Sequence, residues 1–434
     1  MIGSYLLLIS FFISFILNNY KFCFIIIVIS ALNDMFKLNI GFSIPIHYLI
    51  PFFYLPQIFK YFLNTYKPLN TYFRPLFFEY LYLIILTIIF GFIFPWSSYF
   101  DSNRSWTQLA YGRSLIQMFK YFSEIILLLF VLFLFKSNKI DHYFVKKVFA
   151  RIIITMVLFT IIDILFDLHI KEFLFSNEPI VSNRFTALNG EPRNFGRNCS
   201  LALLILIFYS CSNSKKYFIP ILFSIIGIII SLSASTYLAT LLWFFLFLLT
   251  LKRVRLLILP SIVFLIFLFN IFSNTENSFI SETTTKIKIV SAILNNNLET
   301  DDKVYNDEPR FFSSFEVFDR AALNFLYLNK VYILTGTGPN LISIPSSPYL
   351  NSKAFAIYGD SIDSVPHMFL INLLARSGII GLFFWILFII SYNFKKSRNS
   401  NIFFNLTIVF HFIVFNPVFF LYIAIITSKK LNYY

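Results

Sequence analysis

Residues 335–340 read TGTGPN and residues 365–385 read VPHMFLINLLARSGIIGLFFW. The first stretch lies in a polar segment running from 274 to 365; the second carries the chain back into an apolar run. A polar segment of this length between two apolar stretches reads as an external loop joining late membrane spans. It contains 11 acidic and 7 basic residues, a net charge of −4. It opens on SNTENS and NNNLETDDK, and PRFFSSFEVFDRAALNFLYL (309–328) then has the periodicity of a helix lying along the membrane surface. The glycine turn follows, and after it ISIPSSPYLNS (342–352) reads as extended coil.

Outside this segment the chain is almost wholly apolar. It is 58% hydrophobic and 13% charged, with a mean hydropathy of +0.75, whereas soluble domains run at about 45–50% apolar and about 25% charged. The composition is that of an integral membrane protein. The first apolar stretch, MIGSYLLLISFFISFIL, has neither a basic flank nor a small-residue cleavage site, and is expected to be a span.

Spans of about 20 apolar residues are expected near 2–17, 22–33, 42–64, 77–96, 118–136, 148–167, 198–212, 217–231, 235–251, 255–273 and 379–392. A last apolar run, 401–428, is interrupted by Asn416-Pro417 and reads as one kinked span or a hairpin of two. The expected fold is an all-α polytopic membrane protein of about 12–13 transmembrane helices. Residues 1–273 form an N-terminal bundle of about 10 spans, residues 274–365 the large external, periplasmic loop, and residues 366–434 a C-terminal transmembrane segment.

Charge sets the orientation. The formal net charge is +14, from 35 Lys and Arg against 21 Asp and Glu. In a soluble protein this would suggest nucleic acid. Here the basic residues gather in short loops (Lys136, Lys139, Lys146, Lys147 and Arg151; Lys215 and Lys216; Lys252, Arg253 and Arg255; Lys395, Lys396 and Arg398), as the positive-inside rule requires. These loops are therefore cytoplasmic, the partner is the lipid bilayer, and no nucleic acid is implied. Cys23, Cys199 and Cys211 lie in or beside apolar runs without metal-ligand spacing and read as small core residues.

Four external features stand out against that background. SNRFTALNGEPRNFGRN (182–198) gathers Arg184, Glu191, Arg193, Asn194 and Arg197 immediately before a span. An arginine near the bilayer centre costs about 2.5–3.5 kcal/mol on insertion scales, and guanidinium groups match phosphate oxygens bidentately. Snorkelling to lipid phosphates is the alternative for these residues. Arg310 and Arg320 belong to the expected surface helix, where Glu316 is also placed to pair with Arg320. Gly336 and Gly338 allow close backbone approach to a ligand, although a plain turn explains them too. His367 follows Pro366 at the start of a helix that breaks at Gly378, which puts an imidazole at the membrane–water boundary, suited to take a proton from a hydroxyl or to bond a phosphate oxygen. His47, His142, His169 and His411 have no comparable context, and neither metal spacing nor a Ser-His-Asp arrangement is evident, so no cofactor or metal is expected.

In this order, RFTALNGEPRNFGRN, SLSASTYLATLL (231–242), DRAALN with TGTGPN, and PHMFLINLLARSGIIGL resemble the O-antigen polymerase/O-antigen ligase superfamily, which assembles bacterial surface polysaccharides. The resemblance covers mainly residues 182–392. Arg376 stands where that family often carries an acidic residue, and Met368 follows the histidine where asparagine is more usual. The resemblance implies a metal-independent glycosyltransferase with a GT-C-like, all-helical fold in the bacterial inner membrane, its site facing the periplasm or exterior. It implies an undecaprenyl-diphosphate-linked oligosaccharide as substrate and a chain-length regulator as a possible partner. By that resemblance Arg184, Arg193 and Arg320 hold the diphosphate, with Arg197 and Arg310 in reserve, and His367 orients or deprotonates the acceptor hydroxyl; Glu191 and Asp363 compete for the role of base. The favoured activity is polymerisation of O-antigen or capsule repeat units. Transfer of the glycan to lipid A-core by a ligase is the alternative, and transport of lipid-linked oligosaccharide the second, for which charged residues within spans and paired halves would be expected.

Overall fold

The computed structural model describes residues 2–33, 35–39, 42–64, 74–93, 106, 109–166, 174, 192–210, 217–231, 236–237, 240–241, 320–349 and 369–394. These residues are mostly helical. They fall into two compact units, one built from residues 2–64 and 118–241, the other from 74–117 and 320–394.

The first unit begins with α1 (Ile2–Ile16) and α2 (Tyr20–Leu32). Asn18 adopts φ 50°, and the amides of Asn18 and Asn19 return to the carbonyls of Phe15 and Ser14 at 3.0 and 2.9 Å. This is a Schellman stop with asparagine in the left-handed position. Asn19 then caps α2 by accepting the Phe22 amide. The same device ends α6 (Ala110–Lys136), where Asn138 has φ 55° and Lys139 N–H bonds Leu134 C=O at 2.9 Å. Asp141 then starts α7 (His142–Leu165) by accepting the Phe144 amide at 2.6 Å. Asp141→Ala should lower stability by about 1 kcal/mol, read as a small fall in the thermal unfolding midpoint of the detergent-solubilised protein.

The expected span at 42–64 is not one helix. Residues Lys37–Asn39 (β1) and Ser43–Pro45 (β2) pair as an antiparallel hairpin, with Lys37 opposite Pro45. A short α3 (Ile46–Leu49), a 3₁₀ turn (Ile50–Tyr54) and α4 (Leu55–Asn64) follow. Pro45 at the end of β2 and Pro51 in the 3₁₀ turn break the segment because neither can donate a backbone hydrogen bond. The core of this unit is aromatic: Tyr54 stacks on Phe130 at 4.8 Å, and its hydroxyl meets Cys23 Sγ at 2.8 Å. Helix α8 (Pro192–Ser210) packs on α9 (Phe218–Ile230) and α7. Cys23 and Cys199 are buried with free thiols; Cys211 lies outside the described residues.

The second unit is built from α5 (Arg74–Leu86), which continues as a π-helix over Thr87–Ile93, the first turns of α6, α10 (Arg320–Leu328), α11 (Lys330–Thr335), α12 (Ser343–Ser346) with a 3₁₀ turn (Ser347–Tyr349), and α13 (Phe369–Phe394). Residues 74–117, expected within the N-terminal bundle, thus cluster with residues of the large loop (320–349) and of the helix beyond it (369–394). Segment 343–349, read as extended coil, is helical. On α10, Ala321, Ala322, Phe325 and Leu326 are buried while Leu323, Tyr327 and Leu328 are exposed. The helical reading of 309–328 holds from Arg320 onward; residues 309–319 lie outside the described residues.

Three of the described helices are long and apolar enough to cross a membrane: Arg74–Ile93, Ala110–Lys136 and Leu370–Phe388. Shorter apolar helices cover Ile2–Ile16, Tyr20–Leu32, Asn194–Ile207 and Phe218–Ile230. Their outward faces carry apolar stripes. Tyr5, Leu6, Ile9, Phe12, Ile13 and Ile16 are exposed along α1, and Phe78, Leu81, Ile85, Ile88, Ile89 and Phe92 along α5 and its π extension. Patches of that extent are foreign to a soluble surface and suit contact with lipid.

Candidate functional site

The TGTGPN turn is not a free loop. Helix α11 ends at Gly336, whose φ 77° and ψ 176° occupy a region open in practice to glycine alone; its amide closes the last turn on Tyr332 C=O at 2.8 Å. Thr337 donates both its amide, at 2.8 Å, and its hydroxyl, at 2.9 Å, to the Ala375 carbonyl. The Gly338 amide bonds the Arg376 carbonyl at 3.1 Å. Those carbonyls stand just before Gly378, where α13 breaks with φ 63° and ψ −162°. The turn therefore plugs onto the broken helix backbone to backbone, which satisfies polar groups that a break in an apolar helix would otherwise strand.

The contact is too close for side chains. A Cβ at Gly336 would lie 2.6 Å from both Arg376 O and Ser377 N, and one at Gly378 would collide with Leu334 O. The close approach that Gly336 permits is thus to α13, Gly338 faces Leu341 and the carbonyl of Leu86 instead, and the amides of Gly336, Thr337 and Gly338 are all engaged within the protein. Tyr82 on α5 adds a hydroxyl bond to Thr335 C=O at 2.7 Å.

Beside the break, Arg376 Nη2 meets Glu79 Oε1 of α5 at 2.6 Å, with Glu79 fully buried and Arg376 14% exposed. This pair accounts for the basic residue at 376. An acid alone in an apolar span would be expelled or neutralised; a guanidinium at hydrogen-bond distance keeps both charged. A second buried arginine, Arg113 at the start of α6, donates to Ser343 Oγ at 3.3 Å. Its neighbour Ser114 bonds Thr87 Oγ1 at 3.0 Å. Neither Glu79 nor Arg113 was marked as functional by sequence. The available signal was an acidic residue, Glu79, inside the expected span 77–96 and the unexplained Arg376 just before the expected span 379–392.

The arginine-rich entry belongs to the first unit. Pro192 opens α8, where its missing amide proton is harmless, and Arg193 and Arg197 both belong to this helix, four residues apart. Asn194 and Arg197 are half-buried, and Asn198 is buried, its amide donating to Leu32 C=O at 2.8 Å. Gly196 faces Ser231 and Thr236 so closely that a Cβ would clash with both. Arg320 is the first residue of α10 in the second unit. The side chains of Arg193 and Arg320, and all of Arg184, Glu191, Arg310, Asp363 and His367, lie outside the described residues. His47, without context in the sequence, is buried with Nδ1 3.1 Å from Ser30 Oγ.

The sequence matches no protein-family model and no curated protein, and the fold matches no solved structure.

Proposed function

We propose that this protein is a polysaccharide polymerase of the bacterial inner membrane. It transfers a growing glycan from undecaprenyl diphosphate onto the next lipid-linked repeat unit, with inversion at the anomeric carbon. The observation that carries this reading is the ordered set of motifs. An arginine-rich entry opens α8, a G-x-G turn closes α11, and a Pro-His entry precedes a re-entering helix broken at a glycine. The docked turn supports it physically. Thr337 and Gly338 are anchored to the carbonyls of Ala375 and Arg376, so this turn of the large loop is tied to a helix suited to span the membrane.

In this reading Arg184, Arg193 and Arg320, with Arg197 and Arg310, hold the donor diphosphate. They stabilise the charge that grows on it as the glycosidic bond breaks. The acceptor hydroxyl attacks the anomeric carbon, its proton passes to His367, Glu191 or Asp363, and lipid diphosphate leaves. The protein works from the periplasmic or exterior face beside a chain-length regulator, without a metal or cofactor. A ligase would run the same chemistry onto lipid A-core. Transport has one observation in its favour, the Glu79–Arg376 pair between two apolar helices; yet the carbonyls at the α13 break are already taken by Thr337 and Gly338, not left to coordinate a substrate.

Gel profiling of surface polysaccharide tests the reading. A deletion strain should carry lipid A-core with a single repeat unit, and the wild-type gene should restore the ladder, whereas Arg193→Ala and His367→Ala should not. Loss of all attached repeats, with long chains held on undecaprenyl lipid, would identify a ligase. An unchanged ladder in the deletion strain would remove both enzyme readings.

A further inference from the structure

A cationic cluster in the first unit lies outside every motif above. Lys120 is half-buried on α6 between Phe119 and Tyr121, in a helix suited to span a membrane. The β1–β2 hairpin and the 3₁₀ turn seat on this part of α6: Phe52 stacks on Phe119 with centroids 5.5 Å apart and planes 8° apart, and Phe42 meets Phe119 edge-on at 6.3 Å. That seating brings Lys37 of β1 and Glu124 of α6 within electrostatic reach of Lys120. Glu124 is held in place by Tyr48, whose hydroxyl donates to Oε1 at 2.6 Å.

The charges do not balance. Among the described residues two half-buried lysines are set against the single carboxylate of Glu124, and neither ammonium makes a hydrogen bond or an ion pair within 4 Å. Bringing two like charges together in a partly dehydrated wall is unfavourable, and is relieved either by loss of one proton or by an anion that joins them. Depth along the helix narrows the choice of anion. Lys136 ends α6 in a basic loop that the positive-inside rule assigns to the cytoplasm, and Lys120 lies sixteen residues earlier, about 24 Å along the axis. Across an apolar core about 30 Å thick, that places Lys120 near the external boundary, where phosphate groups are abundant and external lysines are otherwise disfavoured.

We propose that Lys37 and Lys120 form a binding site for a phosphate-bearing group at the external face of the bilayer, with Tyr48 and Glu124 as its fixed wall. The group is a phosphodiester or diphosphate, carried by a lipid or free in solution. Lysine suits it as a point charge that binds phosphate without demanding the planar geometry of arginine. The inference does not depend on the polymerase reading.

Full-length protein in maltoside micelles, which contain no phosphate, provides the test. Binding of inorganic diphosphate and of phosphatidylglycerol would be measured separately, the first with radiolabel and the second by native mass spectrometry. Wild type should bind at least one of them. Lys37→Gln and Lys120→Gln should each weaken that binding about tenfold or more, as expected for loss of one charged hydrogen-bond donor, while Lys120→Arg retains it. Lys60→Gln, at an exposed site on α4, should have no effect. Binding of the lipid alone would identify a headgroup as ligand; binding of diphosphate as well would show that the phosphate group suffices. Failure of wild type to bind either probe, or equal binding by both glutamine variants, would overturn the proposal. Lys→Gln removes a desolvated charge, so the variants should fold, and matching unfolding midpoints without ligand would verify this.

Discussion

Glu79→Ala is expected to destabilise the protein by about 3–5 kcal/mol, and Arg376→Ala by a similar amount. Each removes one member of a buried ion pair made at 2.6 Å and leaves the other charge in an apolar wall. The effect should extend to the glycine turn, because the Arg376 carbonyl accepts the Gly338 amide and Tyr82, three residues after Glu79, bonds Thr335. The measurement is the thermal unfolding midpoint in detergent together with the amount of protein in the membrane. The double variant Glu79→Met with Arg376→Met should recover most of the loss, since an apolar pair of similar volume removes both desolvation costs. Single variants as stable as wild type would show that this pair does not hold α5 to α13.

Gly378→Ala should be comparably severe, about 2–6 kcal/mol from positive-φ strain and overpacking together. At φ 63° and ψ −162° a side chain is strained whatever the space around it, and here a Cβ would drive into Leu334 O and lie 2.6 Å from Gly336 N. Gly336→Ala meets the mirror problem against Arg376 and Ser377. Gly338→Ala is the useful contrast. Its φ of 93° is still unfavourable, but the nearest atom to a Cβ is the movable Leu341 Cδ1 at 3.1 Å, with backbone no closer than 3.6 Å. The unfolding midpoint should therefore fall far more for positions 336 and 378 than for 338. Equal losses at all three would mean that only backbone conformation matters, and not the docking of turn on helix.

The same residues show what was legible in the sequence. The helix break at Gly378 was expected from ARSGIIG inside an apolar run, and the glycine turn from TGTG, because positive φ is a local property that glycine signals directly. That the two glycine sites meet each other was not legible, since they are 40 residues or more apart and either could equally have faced a ligand. Arg376 was visible as an oddity and Glu79 as an acid within an apolar run, but pairing them needs the packing of α5 on α13. The span expected at 42–64 failed for a different reason. Hydropathy records that residues are apolar, not that Pro45 and Pro51 deny the segment a continuous helical ladder.

What the sequence by itself determined is the medium and the local grammar: an apolar chain with basic short loops, helices stopped by Asn18, Asn138 and Gly336, and a break at Gly378. Each follows from transfer free energy or backbone sterics at single positions, where neighbours in sequence are enough. Tertiary structure alone decided which polar groups share a burial site: Glu79 with Arg376, Arg113 with Ser343, Tyr48 with Glu124 beside Lys120. Desolvation makes every such group costly alone and tolerable only with a partner, and a partner distant in sequence is chosen by how helices pack.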